Sequence, residues 1–177
     1  KGWSYSNTGF YLLGAVIEAA THKPLAENYR ARILEPLGMK HTFLDCHEEP
    51  RADLSQSYSR SFFSLLGQGN VSDVHFLYTW SAGGLVSTAS DLSLFIRGLF
   101  RGKLFTHPET LKEMLTPPEN EPYYGLGIGI YGEGVYGHGG GIPGFLSHLS
   151  YDQNQDLVMV VLFNADVDDP SSIASTI

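Results

Sequence analysis

With one cysteine, Cys46, the chain cannot close a disulfide within itself, and its redox compartment stays open. Long apolar runs are missing: no stretch approaches the ~20 residues that cross a bilayer. Basic residues are scarce. Lys and Arg total 11 against 19 Asp and Glu, a net charge of −8. Without a Lys/Arg run to neutralise phosphates, the chain is a poor nucleic-acid binder, and its acidity argues against docking on an anionic membrane. Metal-ligand spacings are also absent, since His41, Cys46 and His47 are accompanied by no His-Glu-x-x-His or paired-Cys motif. No signal peptide is visible, although a fragment would have lost one. What is present suits one globular domain: 177 residues, 42% of them apolar, with no repeat and no low-complexity tract.

The first half has helical grammar. Asn7 is an expected N-cap for a helix whose inward face is Phe10, Leu13, Gly14, Ile17 and Ala20, ended by Lys23-Pro24. Pro24 can open a second helix to about Leu34, with Leu25, Tyr29 and Ile33 inward, closed by Glu35-Pro36-Leu37-Gly38. Residues 45–80 lack a period and are expected as long loops, with Asn70-Val71-Ser72 and Glu48-Glu49 solvated within them. Thr88-Ala89-Ser90-Asp91 has capping-box spacing before a third helix carrying Leu92, Phe95, Ile96 and Leu99 to near Gly102. His107-Pro108 opens a short fourth helix, stopped by Pro117-Pro118.

After Pro118 the grammar changes. Residues 124–131 alternate glycine with Leu126, Ile128 and Ile130, the period of two that predicts a strand. Residues 145–151 and 157–163 are two more, the latter apolar enough to predict burial on both faces. Asp152-Gln153-Asn154-Gln155 is the turn between them, and Asp169-Pro170 caps a last helix begun by residues 173–177. Helices first and antiparallel strands after is an α+β order. Residues 1–118 form its mainly helical and loop part, and 119–177 its hairpins and the start of a C-terminal helix.

Two clusters could carry chemistry. In Tyr5-Ser6-Asn7, a tyrosine at a helix N-terminus meets the positive end of the macrodipole, which favours phenolate. Asn7 offers an amide donor and a carbonyl acceptor. The second cluster, His138-Gly139-Gly140-Gly141, lies in residues 125–144, which hold ten of the chain's twenty glycines. Such density suggests close backbone approach by another group, for example a peptide-like substrate lying along the edge as an added strand. The Gly141 N–H could then face a developing oxyanion, and His138 a substrate carboxylate. Two lookalikes fall away. Gly127 to Gly132 fits G-x-G-x-x-G without the following helix that dinucleotide binding requires. His-Gly-Gly-Gly also occurs in lipases of the α/β-hydrolase fold, but the Gly-x-Ser-x-Gly elbow is missing.

Several blocks in order carry a resemblance. Residues 5–14, the Ile33-Leu34-Glu35-Pro36-Leu37-Gly38-Met39 segment with Thr42, residues 81–92, residues 124–127 and Gly137-His138-Gly139-Gly140 are similar to the serine β-lactamase and penicillin-binding-protein superfamily. The branch is that of class C β-lactamases, D-alanyl-D-alanine carboxypeptidases and related esterases. The resemblance implies a β-lactamase/transpeptidase-like fold, with a helical subdomain beside an antiparallel sheet and the site in the cleft between them. It implies no cofactor, a small-molecule or peptide substrate, and a periplasmic or extracellular bacterial setting. By the same resemblance Tyr5 manages a proton and Asn7 positions the substrate. The strand from His138 through Gly139 and Gly140 binds the substrate, and Gly141 supplies an oxyanion donor.

No serine here is followed three residues later by lysine, so the family's nucleophilic Ser-x-x-Lys is expected upstream, in a missing N-terminal part of the same protein. The β-lactamase form of the third motif is Lys-Thr-Gly, whereas this chain has His138-Gly139-Gly140. That exchange argues against efficient β-lactam hydrolysis and for a peptidase or esterase. The rival expectation is a non-catalytic protein binding a peptide or cell-wall ligand in the same cleft.

Overall fold

A computed structural model describes residues 2–50, 53–60, 69–74, 78–166 and 169–174. Helix α1 (Asn7–Thr21) leads to α2 (Leu25–Tyr29), a π-helical turn (Arg30–Leu34) and α3 (Glu35–Leu37). Gly38, at φ 72°, takes the left-handed conformation that stops this run. Short strands β1 (Phe43–Leu44), β2 (Tyr58–Ser59) and β3 (Gly69–Asn70) precede a 3₁₀ turn (Trp80–Ala82) and β4 (Leu85–Val86). Helices α4 (Ala89–Phe100) and α5 (Pro108–Leu115) are followed by β5 (Gly129–Gly132), β6 (Val135–Ile142), β7 (Phe145–Asp152), β8 (Leu157–Phe163) and α6 (Pro170–Ala174). The last four strands form one antiparallel sheet in sequence order, while β1–β4 and β2–β3 pair separately. Helices before a meander is the expected α+β arrangement.

Helix α4 anchors the two halves. Its Ile96 and Leu99 pack with Ile128 and with Tyr151 of β7, and Phe95, Phe100, Leu149 and Val158 surround them. The apolar spacing that predicts α4 therefore also faces the sheet. The Thr88 hydroxyl accepts from the Asp91 N–H, as an N-cap should. Asp91 departs from the capping-box expectation. Its buried carboxylate reaches out of the helix to accept from the His41 N–H and the Thr42 hydroxyl, each at 2.8 Å. A short carboxylate cannot return to the cap and also bridge to Thr42, and the tertiary pairing wins. Asp91→Ala is expected to cost about 2 kcal/mol by orphaning two donors, a fall of roughly 4–8 °C in the melting midpoint of this chain. An unchanged thermal melt would reduce Asp91 to a helix-surface residue.

Four further expectations are corrected. The N-cap of α1 is Ser6, whose hydroxyl accepts from the Gly9 N–H, and Asn7 is the first helical residue. The apolar stripe of α1 is not a buried face: Leu13 is 55% and Ile17 36% exposed, and Gly14 alone is buried. Periodicity shows that an apolar surface exists, but burial needs a partner surface. Here that partner is the Trp80–Ala82 turn, with the Ser81 hydroxyl donating to the Phe10 carbonyl. The strand expected over 124–131 begins only at Gly129, because Gly127 sits at φ 78° in the turn before it. Strand β8, expected to be buried on both faces, ends the sheet and leaves Leu157 and Leu162 exposed.

Of the expected solvated loop residues, Glu49 and Asn70 are exposed, but Glu48 and Val71 differ. Glu48 accepts from Arg30 Nε and from the Leu44 N–H at 2.8 Å each, and Val71 is buried. The Arg30 contact crosses 18 residues of sequence, which no local pattern encodes. The parts of the 45–80 loops at 51–52, 61–68 and 75–77, and the last helix beyond Ala174, lie outside the described residues. Where described, the last helix starts as expected, with Asp169 accepting from the Ser171 N–H. No helix among the described residues is long and apolar enough to cross a membrane.

Candidate active site

The cap at Ser6 places Tyr5 immediately before the first turn of α1, at the mouth of a cleft against the sheet. Across it stands β6, paired with β7 so that His138 lies opposite Leu149 and Gly139 opposite His148. The Tyr5 ring centroid is 6.2 Å from that of His138, 5.9 Å from Phe10, and 5.7 Å from Tyr124 in an edge-on contact. A helix N-terminus and a strand more than 130 residues later thus meet in one place. The cleft has a volume of about 470 Å³, with Tyr5, Tyr124, Tyr131, His138 and Gly139 among its walls.

His138 is held at both ring nitrogens. Nε2 lies 2.8 Å from the Tyr124 hydroxyl, and Nδ1 bonds to the Gly139 carbonyl. Burial pushes the Tyr124 phenol up to about 12, with Tyr5 and Tyr131 adding to the effect. Tyr131 is also raised by burial, partly offset by a backbone hydrogen bond from Gly139 that favours the phenolate. The β5 pairing reaches β6 only up to Gly137, so among the described residues no strand pairs with β6 beside Gly139 to Gly141 on that edge.

The expected site residues are not all equally placed. Tyr5, His138 and Gly139 line the cleft together. Asn7 is exposed on the first turn of α1 and is not one of the cleft's walls; Gly140 and Gly141 also lie outside it. Gly140 lines a second hollow, of about 440 Å³, with Ser147, His148, Asp166 and Asp169. At Gly140 a Cβ would come 2.6 Å from the Ser147 hydroxyl oxygen, so a side chain there needs that hydroxyl to turn aside. At Gly139 a Cβ would meet only the Ser147 carbonyl, at 3.6 Å, so packing does not demand glycine there.

Sequence reasoning missed Tyr124 and Tyr131. Tyr124 stood inside a quoted block, and the Tyr123-Tyr124 pair before the glycine alternation was the available signal. Nothing local marks Tyr131, which sits where the β5–β6 register shifts between Ile130 and Gly132 and which stacks on His148 at 5.5 Å. Among the described residues no group of three or more His, Cys, Asp or Glu is arranged to hold a metal.

A family model described as beta-lactamase matches residues 1–175. The chain belongs to the beta-lactamase family. Among solved members of similar structure, a D-stereospecific amidohydrolase from Streptomyces sp. is 32% identical with a TM-score of 0.80, covering 93% of this chain and 51% of that one. A D-amino acid amidase from Ochrobactrum anthropi SV3, solved with L-phenylalanine, is 30% identical with a TM-score of 0.79, covering 97% and 52%. A D-aminopeptidase of Gluconobacter oxydans is 26% identical over 170 residues, 92% of this chain and 31% of that protein. The chain therefore spans about half the length of these solved structures and about a third of the D-aminopeptidase. Its partial α+β domain is of the β-lactamase/transpeptidase type.

Proposed function

We propose that this chain forms two walls of a serine hydrolase site, in the class C-like branch, that cleaves D-amino-acid amides or peptides and small esters through an acyl-enzyme. The observation that carries the reading is the convergence of Tyr5 and His138 on one cleft, 6.2 Å apart between ring centroids. A serine outside this chain attacks the acyl carbon, and its proton passes toward Tyr5 and a lysine beside that serine. The bond from Oγ to carbon forms as the carbonyl π pair moves to oxygen, and the Gly141 N–H donates to that oxyanion. Collapse expels the amine or alcohol, which takes the proton back. Water repeats the cycle on the ester and frees the acid. Asn7 orients the substrate from the first turn of α1, and the strand edge from His138 to Gly140 receives it as an added strand.

Similarity to a D-amino acid amidase, a D-stereospecific amidohydrolase and a D-aminopeptidase supports the amide substrate. So does the third motif, because neither the ammonium nor the hydroxyl of Lys-Thr-Gly is present to hold a β-lactam carboxylate. In the full-length protein, kcat/KM is expected to rank a D-amino-acid amide and a short nitrophenyl ester above a chromogenic cephalosporin. His138→Lys should move the ratio toward the cephalosporin by roughly tenfold, the scale of one charge-assisted contact. A cephalosporin rate well above the other two would overturn the substrate assignment. Tight binding with no turnover of any substrate would assign the cleft to ligand binding instead.

A further inference from the structure

The polarity of the cleft wall follows from the hydrogen bonds of His138. A carbonyl oxygen can only accept, so the bond between Nδ1 and the Gly139 carbonyl requires the hydrogen on Nδ1. In the neutral imidazole Nε2 is then a bare lone pair, and the Tyr124 hydroxyl 2.8 Å away is its donor. With that hydrogen committed, the phenol oxygen has only lone pairs left for the cleft that Tyr124 lines. The wall therefore offers an acceptor and no cation. Tyr5, Tyr123 and Tyr131, the other phenols on these walls, add no positive charge, and no Lys or Arg is among the cleft's walls.

We propose that Tyr124 is a specificity-determining residue: with the Nδ1–H tautomer held by the Gly139 carbonyl, it donates to His138 Nε2 and turns an acceptor oxygen toward substrate, selecting molecules with a free α-ammonium over those with a blocked amine or a carboxylate there. The inference rests on the hydrolase reading and names the chemical group that the same cleft recognises. An ammonium donates three hydrogens and meets that oxygen favourably, an acetylated amine loses the charge, and a carboxylate meets lone pair with lone pair. The phenol held up to about 12 keeps its hydrogen throughout the working range of a hydrolase, so the acceptor orientation persists. Discrimination of this type is strong because the wrong substrate leaves a desolvated polar atom unpaired.

The test compares D-phenylalanine amide with N-acetyl-D-phenylalanine amide on the full-length protein, wild type and Tyr124→Phe. Both kcat/KM and calorimetric affinity are read. Wild type is expected to favour the free amine, and the variant to lose about tenfold of that preference, in KM rather than kcat. Independently, ¹⁵N-edited NMR of neutral His138 should show Nδ1–H in wild type and also in Tyr124→Phe, where the Gly139 carbonyl still holds that hydrogen. An Nε2–H tautomer in wild type, or undiminished preference in the variant, would overturn the inference. A fluorophosphonate probe and nitrophenyl ester turnover are run alongside. If both are negative the hydrolase reading fails, and the affinity ratio and the tautomer still decide the role of Tyr124.

Discussion

Tyr5→Phe in the full-length protein is expected to lower kcat by roughly 10²–10⁴, the range for removing a positioned acid or base, with little change in KM. The substitution deletes one oxygen and nothing else. The ring contacts with Phe10 and Tyr124 are made by carbon faces and edges that phenylalanine keeps. Tyr5 is 45% exposed, so its hydroxyl does not hold the core together, and the melting curve should be unchanged. A group that shares its proton only as the serine attacks stabilises the transition state and not the bound substrate. Its loss therefore appears in kcat. Full kcat with an intact melt would return Tyr5 to packing, and a parallel rise in KM would make it a substrate contact.

The second large effect is on the sheet that carries His138. A Cβ at Gly137 would lie 2.0 Å from the Leu149 carbonyl oxygen and 2.9 Å from Ser150 Cα, both backbone atoms of β7. No side chain can rotate away to make room, so β6 and β7 must separate at Gly137, one residue before His138. Gly137→Ala is expected to cost about 3 kcal/mol and to lower the melting midpoint of the chain by roughly 6–12 °C. The bond from Tyr124 to His138 should weaken with it, because the strand that delivers the imidazole has moved. Gly139→Ala is the internal contrast: its Cβ meets only the Ser147 carbonyl, at 3.6 Å, and should be tolerated. Equal melting of the two variants would show that strand spacing adapts freely.

Much of the frame was legible locally. Thr88 followed by apolar residues at helical spacing is enough for α4, since capping and periodicity act within a few residues. Strands β7 and β8 and their turn were readable because Asp152 satisfies the Asn154 and Gln155 N–H groups within its own turn. Tyr5 and His138 were named from motifs alone, and the cleft contains both. Less legible was anything depending on what lies opposite. The α1 stripe and β8 are apolar enough to be core, yet Leu13, Leu157 and Leu162 face no covering surface among the described residues. Asp91 was assigned to its own helix because the donors of His41 and Thr42 are about 50 residues away.

The chain by itself determined the α+β order, the punctuation by proline and glycine, the acidic balance that disfavours phosphate partners, and the two motifs that mark the cleft. These are properties of short windows or of composition, and the physics that sets them is local. The tertiary structure alone decided that Tyr124 holds Nε2 of His138, that Gly139 supports Tyr131, and that Gly140 opens to a different hollow. Those facts depend on strand register and on where the residues just before α1 meet Tyr124 and His138. A one-residue slip of β6 would turn His138 to the other face without changing any local propensity.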